Sequence, residues 1–163
     1  MSSRFESWSS RAELRAVGVT LGALVLFAGS WIALHHGWLA RGEIIDTPVY
    51  ETYGDAMLRG EVPYRDFGLE YPPGALPVFA VPSLLRSPEG DLDGYRIRFE
   101  AEMLVCGGLA VLFVLSALLA MDAGPVRMGL ALGFTAVAPL LIGSVMLSRF
   151  DLWPAALTVG ALA

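Results

Sequence analysis

The sequence predicts an all-α integral membrane protein: a multi-span helical bundle whose first extracytoplasmic loop is large, structured and built from amphipathic or interfacial helices. Three observations predict it. Apolar residues make up 55% of the 163-residue chain, and mean hydropathy is +0.59. These residues gather into uncharged runs near the ~20 residues that cross a hydrocarbon core of about 30 Å. A long polar stretch rich in tyrosine and proline, Asp46 to Gly74, lies between the first run and the second.

Residues 1–15 carry Arg4, Arg11 and Arg15 ahead of the first apolar run. Basic residues this close to a span hold their side of it in the cytoplasm, so a cytoplasmic N-terminus is expected. Residues 16–34, "AVGVTLGALVLFAGSWIAL", are uncharged and form the first expected span. The run is longer than the roughly 7–15 residues of a signal-peptide core and no A-x-A-like site follows, so it reads as a retained anchor.

Counting spans places residues 35–102 outside. Asp46 is placed to cap a helix whose first turn holds Pro48 and which Gly60 ends. Val49, Tyr53 and Met57 recur on one face of that helix, and Glu51, Asp55 and Arg59 on another, as in a helix lying along the membrane surface. "EVPYRDFGLEYPPG" is too rich in proline to be helical throughout and reads as an extended, ordered loop. "ALPVFAVPSLL" is apolar but too short to span, which suggests an interfacial or re-entrant segment. "RSPEGDLDG" reads as a polar turn.

Residues 103–121 are the second expected span and 126–147 the third, with Arg127 near its start. Residues 152–163 begin a fourth helix that the chain end interrupts. A helix stopping at mid-bilayer leaves carbonyls unpaired, so the sequence reads as the N-terminal part of a longer protein. Trp31, Trp38 and Trp153 fall at span ends on the outer side, as in an aromatic belt.

Net charge is −5, and all eleven basic residues are arginine. No basic face is available to neutralise phosphates, which argues against nucleic acid as a partner and leaves membrane lipids. Cys106 is the single cysteine, inside the second span, so no intrachain disulfide can form. His35 and His36 read as interfacial anchors, since no further histidine completes a metal site. Asp91 and Asp93 spell D-x-D but lie between glycines in an acidic turn, and read as solvated.

Three polar groups remain as candidates. Asp46 sits at the outer membrane surface, where it can cap a helix or act as a general base toward a lipid-linked substrate; both roles need the same oxygens. Arg65, Asp66 and Glu70 form a knot flanked by Tyr64, Phe67 and Tyr71. It is either a self-satisfied loop or a site in which Arg65 grips phosphate, Glu70 accepts sugar hydroxyls and the tyrosine rings face the sugar. Arg149 and Asp151 lie in a short turn between apolar helices, either as a simple ion pair or as substrate-binding groups.

"DTPVYETYGDAMLRGEVPYRDFGLEYPPGALPVFAVP" resembles the first large extracytoplasmic loop of bacterial GT-C membrane glycosyltransferases. It is closest in look to glycosyltransferase family 87 and the alpha-mannosyltransferase-like group. Those proteins show an early Asp, then a pattern like Y....L.G..PYRDF..EYPPG. "RFDLWPA", Arg149 to Ala155, is similar to the segment that opens one of their membrane helices. The two stretches cover about a quarter of the chain. The resemblance implies an inverting hexosyltransferase of the cell inner or plasma membrane. It would move a sugar, often mannose, from a polyprenyl-phosphate donor to a lipid-linked or cell-envelope glycan acceptor. By motif position Asp46 is the base. No cofactor is implied, and a lipid-phosphate leaving group needs no divalent metal if arginines meet its charge. A non-catalytic membrane scaffold and a transporter fragment are the competing expectations; the latter calls for ionisable groups deep in the spans.

Overall fold

The computed structural model describes residues 2–40, 45–85 and 92–163. Among the described residues seven helices follow one another: α1 (Ser2–Ala33), α2 (Thr47–Leu58), α3 (Leu76–Leu84), α4 (Leu92–Ala120), α5 (Pro125–Ile142), α6 (Val145–Ser148) and α7 (Leu152–Gly160). Single 3₁₀ turns at Gly37–Ala40 and Pro73–Ala75 precede α2 and α3. The described residues form no β-strand, only an isolated bridge between Pro63 and Phe67. Among the described residues three stretches are long and apolar enough to cross a membrane: Ala16–Ala33, Asp93–Ala120 and Pro125–Ile142.

Periodicity decides which faces meet. On α1 the buried positions are Thr20, Ala23, Phe27, Ser30 and Trp31, with Leu34 just beyond its end, while Val17, Leu21, Val25 and Ile32 face outward. On α5, Met128, Leu132, Ala136 and Pro139 turn inward at four- and three-residue steps, and Leu130, Phe134 and Leu141 turn outward. An apolar outer face suits a helix whose solvent is lipid. α4 is the central member, touching α1, α2, α3, α5, α6 and α7. It comes close to α1 because Gly107 has no side chain: a Cβ there would stand 2.1 Å from the Phe27 ring.

Several details differ from the sequence expectations. Trp31, expected in an interfacial belt, is buried against Phe27 with ring centroids 6.1 Å apart, because its position shares the inward face of α1; Trp38 is 76% exposed. The third apolar run does not continue as one helix to residue 147. α5 ends at Ile142 because Gly143 takes φ 87, a left-handed conformation, and its N–H closes on the Pro139 carbonyl. α4 begins at Leu92, so Arg96, Arg98, Glu100 and Glu102, expected in the outer loop, form the early turns of a long helix.

The polar segment packs onto the end of the bundle where α1 finishes and α4 starts. α2 ends in a Schellman motif: the Glu61 N–H reaches the Ala56 carbonyl, the Gly60 N–H reaches Met57, and Gly60 takes φ 85. Its buried face is Thr47, Tyr50, Gly54 and Ala56, with Tyr53 and Met57 partly covered, while Val49 is exposed. The buried stripe is therefore displaced from the expected Val49, Tyr53 and Met57 line. The cause is Gly54, which lets α3 press directly on the α2 backbone. "ALPVFAVPSLL" forms the helix α3, packed on α2 and α4, with Val78, Phe79, Pro82 and Ser83 buried.

Candidate functional site

Asp46 occupies the N-cap position of α2. Its carbonyl accepts the Val49 and Tyr50 N–H groups at 3.0 and 3.2 Å, but its carboxylate makes no capping hydrogen bond. The carboxylate instead meets Arg149, with Oδ2 2.8 Å from Nε and the two side chains 22% and 39% exposed. The Nε–H is not aligned on an acceptor, so the contact is a charge pair rather than a formed hydrogen bond. Arg149 arrives there because α5 stops at Gly143 and the short α6 turns the chain back over the end of the bundle.

An aromatic cluster backs this pair. Tyr50 is fully buried at its centre, stacked on Phe79 at 4.6 Å and touching Phe99 at 5.4 Å, Tyr71 at 5.6 Å and Phe150 at 6.0 Å. Tyr71 in turn packs edge-on to Phe150 at 5.1 Å and Phe79 at 5.3 Å. Edge-to-face geometry of this kind adds directionality to apolar burial. Trp153 completes the join, donating its indole N–H to the Gly74 carbonyl at 2.9 Å. The YPPG turn and the RFDLW segment thus form one surface.

Burial pushes the Tyr50 hydroxyl pKa up, Tyr71 and the Asp46 carboxylate add to the rise, and the Arg149 guanidinium opposes it. The hydroxyl is buried beside Tyr71, without an aligned hydrogen bond. Tyr53 is also raised, by burial first and then by the charge of Glu70 and by Tyr71.

The sequence candidates fall into two groups. Asp46, Tyr71 and Arg149 converge on the aromatic cluster. Arg65 and Asp66 close on each other: Arg65 Nε and Nη2 donate to the two Asp66 oxygens, each at 2.8 Å, and Asp66 also accepts the Val62 N–H at 2.8 Å. These bonds raise the Arg65 pKa and hold the Asp66 carboxyl below its ordinary range. Around residues 62–67 the expected extended, ordered loop is therefore a clasped turn. Tyr64 takes φ 66 within it, held by its N–H on Phe67 O and its hydroxyl on Tyr71 O. Glu70 and Asp151 are exposed, and the Asp151 side chain makes no capping bond to α7. Asp91 lies outside the described residues. Among the described residues, no group of three or more His, Cys, Asp or Glu is gathered as for a metal ion.

Sequence reasoning missed two features. One is the ring of Tyr50, Phe79, Phe99 and Phe150, drawn from four separate segments, for which no local spacing gives a signal. The other is a polar chain beside the site: His35 Nε2 and Glu100 Oε2 are 2.8 Å apart, and Arg96 Nε donates to Glu100 Oε1 at 2.8 Å. The four-residue step from Arg96 to Glu100 was its available signal. A cavity of about 760 Å³ lies far from this chemistry, at the opposite end of the bundle. It is lined by apolar residues such as Leu24, Leu112, Leu115 and Met128, with Asp122 at its edge.

No protein-family model, curated protein or solved structure matches the chain.

Proposed function

We propose that the protein is an inverting membrane glycosyltransferase that moves a sugar, with mannose the first choice, from a polyprenyl-phosphate donor to a lipid-linked or cell-envelope glycan acceptor. The reading sets it in the inner or plasma membrane with the N-terminus cytoplasmic and the α2–α3 face extracytoplasmic. The observation that carries it is the Asp46–Arg149 pair at 2.8 Å, held at one end of an apolar bundle. An inverting transfer from a lipid-linked sugar phosphate needs a base for the acceptor hydroxyl and a cation for the leaving phosphate at the same end of the bundle.

In the proposed reaction Asp46 accepts the proton of the acceptor hydroxyl as that oxygen bonds to the anomeric carbon. The sugar passes through an oxocarbenium-like state while the anomeric carbon–phosphate oxygen bond breaks on the opposite face. Polyprenyl phosphate leaves, and Arg149 meets its growing charge with a planar fork of donors. Tyr71 contributes a ring beside the pair. Arg65 and Asp66, closed on each other, serve to shape the loop, and Glu70 and Asp151 supply exposed acceptors for sugar hydroxyls.

The test is transfer of radiolabelled sugar from polyprenyl-phosphate mannose in membranes devoid of background activity. Asp46→Asn should lower the rate by about two decades or more at unchanged protein level. Arg149→Ala should weaken both transfer and donor binding. Full transfer by Asp46→Asn would leave the carboxylate as a structural ion-pair partner. No transfer by the wild type would favour a membrane scaffold in which the pair only fastens two segments together.

A further inference from the structure

Among the groups that the proposed chemistry leaves unused is Tyr50. Tyr50 is fully buried, and rings from α3, α4, the YPPG turn and the segment after α6 surround it, so its ring cannot swing away. Its hydroxyl lies beside Tyr71 but makes no aligned hydrogen bond. A buried hydroxyl without an aligned bond is destabilising, and packing this dense retains it at a cost. Asp46 precedes Tyr50 by one helical turn, with the Tyr50 N–H on the Asp46 carbonyl at 3.2 Å, so the two side chains share a face of α2. The hydroxyl lies within electrostatic reach of both the Asp46 carboxylate and the Arg149 guanidinium.

As the structure stands, Asp46 spends its charge on Arg149. A phosphate arriving at Arg149 competes for that guanidinium and offers it a better fork. The carboxylate would then lose its partner at the moment it must point at an acceptor hydroxyl.

We propose that Tyr50 is a positioning residue for Asp46: once an anionic phosphate group takes Arg149, the Tyr50 O–H donates to the freed carboxylate and holds it in place. The catalytic half of this rests on Asp46 being the base; the hydrogen bond itself does not. On this reading the hydroxyl has no aligned acceptor at rest because Arg149 engages the carboxylate.

A double-mutant cycle on the purified full chain in detergent tests the bond without any enzyme assay. Unfolding equilibria are compared for wild type, Tyr50→Phe, Arg149→Ala and the double variant, and Arg149→Gln repeats the cycle if Arg149→Ala does not fold. With Arg149 present, Tyr50→Phe should leave the folded-to-unfolded ratio unchanged or raised, since no bond is lost. With Arg149 removed, the same change should lower that ratio roughly tenfold, as expected for a hydrogen bond to a charged acceptor. Equal effects in both backgrounds would overturn the proposal. Transfer from polyprenyl-phosphate mannose supplies the second reading: Tyr50→Phe should lower kcat about tenfold or more with little change in the donor KM. An unchanged kcat would refute the positioning role. Absence of transfer in the wild type would refute the enzyme reading, while the cycle would still decide whether the hydroxyl takes over Asp46.

Discussion

Replacing Gly54 by alanine sets two magnitudes against each other. In a helix interior alanine is more favourable than glycine by about 1 kcal/mol, so propensity alone predicts a more stable protein. Gly54, however, sits where α2 crosses α3. A Cβ there would stand 2.2 Å from the Phe79 carbonyl oxygen and 2.5 Å from Ser83 Oγ. The serine can turn, at the expense of its hydrogen bond to Asp55 Oδ1 at 2.9 Å. The carbonyl is backbone and cannot, so α3 must retreat by more than an ångström to reach ordinary contact. That retreat would loosen the Tyr50–Phe79 stack at 4.6 Å, which lies under the Asp46–Arg149 pair. Overpacking of this kind costs about 1–3 kcal/mol and a lost hydrogen bond roughly 1 kcal/mol more, so after the propensity gain the net loss is about 1–3 kcal/mol. Chemical unfolding in detergent micelles, followed by tryptophan fluorescence, measures it. Gly22→Ala is the control, since its Cβ would meet nothing within 4 Å and only the propensity gain applies. If Gly54→Ala proves as stable as Gly22→Ala, the close crossing of α2 and α3 does not exist and the placement of Tyr50 falls with it.

Further perturbations test other parts of the structure. Phe79→Ala removes a fully buried ring that Tyr50, Tyr53, Tyr71 and Phe150 all touch, and should cost about 3–5 kcal/mol in the same unfolding measurement. Trp153→Phe keeps an apolar ring but loses the hydrogen bond to Gly74; proteolysis at the YPPG turn should speed up while the spans remain protected. The Asp66 carboxyl, held low by Arg65 and the Val62 N–H, favours the clasped loop above the ordinary carboxylate pKa of about 3.9. That contribution is lost as pH falls through the depressed folded value. Exchange of the Val62 amide, corrected for its intrinsic rate, should therefore accelerate only in strong acid, whereas in Asp66→Ala it should be fast throughout.

The three long apolar helices were readable because their signal is local: eighteen or so mostly apolar residues in a row have few other fates. The end of α5 was less readable. "LLIGSVML" is apolar throughout, and only the backbone conformation of Gly143 shows that the helix stops there. The α2 helix was legible from Pro48 and Gly60. Its buried face was not, because Gly54 weakens a helical pattern in sequence while making the contact in space. Asp46 could be placed at a helix start but not assigned a role: a carboxylate before Thr-Pro reads as a cap, and its actual partner, Arg149, lies beyond two further long helices. The Arg65–Asp66 pair, adjacent in sequence, was the easiest alternative to foresee and is the one the structure adopts.

The Trp153–Gly74 hydrogen bond joins positions 79 apart, with α3, α4, α5 and α6 between them. A chain made from its N-terminus delivers the acidic half of the candidate pair long before the basic half. Until the segment after α6 emerges, Asp46 is a carboxylate awaiting its counter-ion, and the YPPG turn lacks the indole that fastens it. Closing so long a loop is slow in itself and must wait for the hairpin of α4 and α5 to form first. The two halves therefore meet last, and a chain ending before residue 149 would have its three long apolar helices but its charged pair unmade.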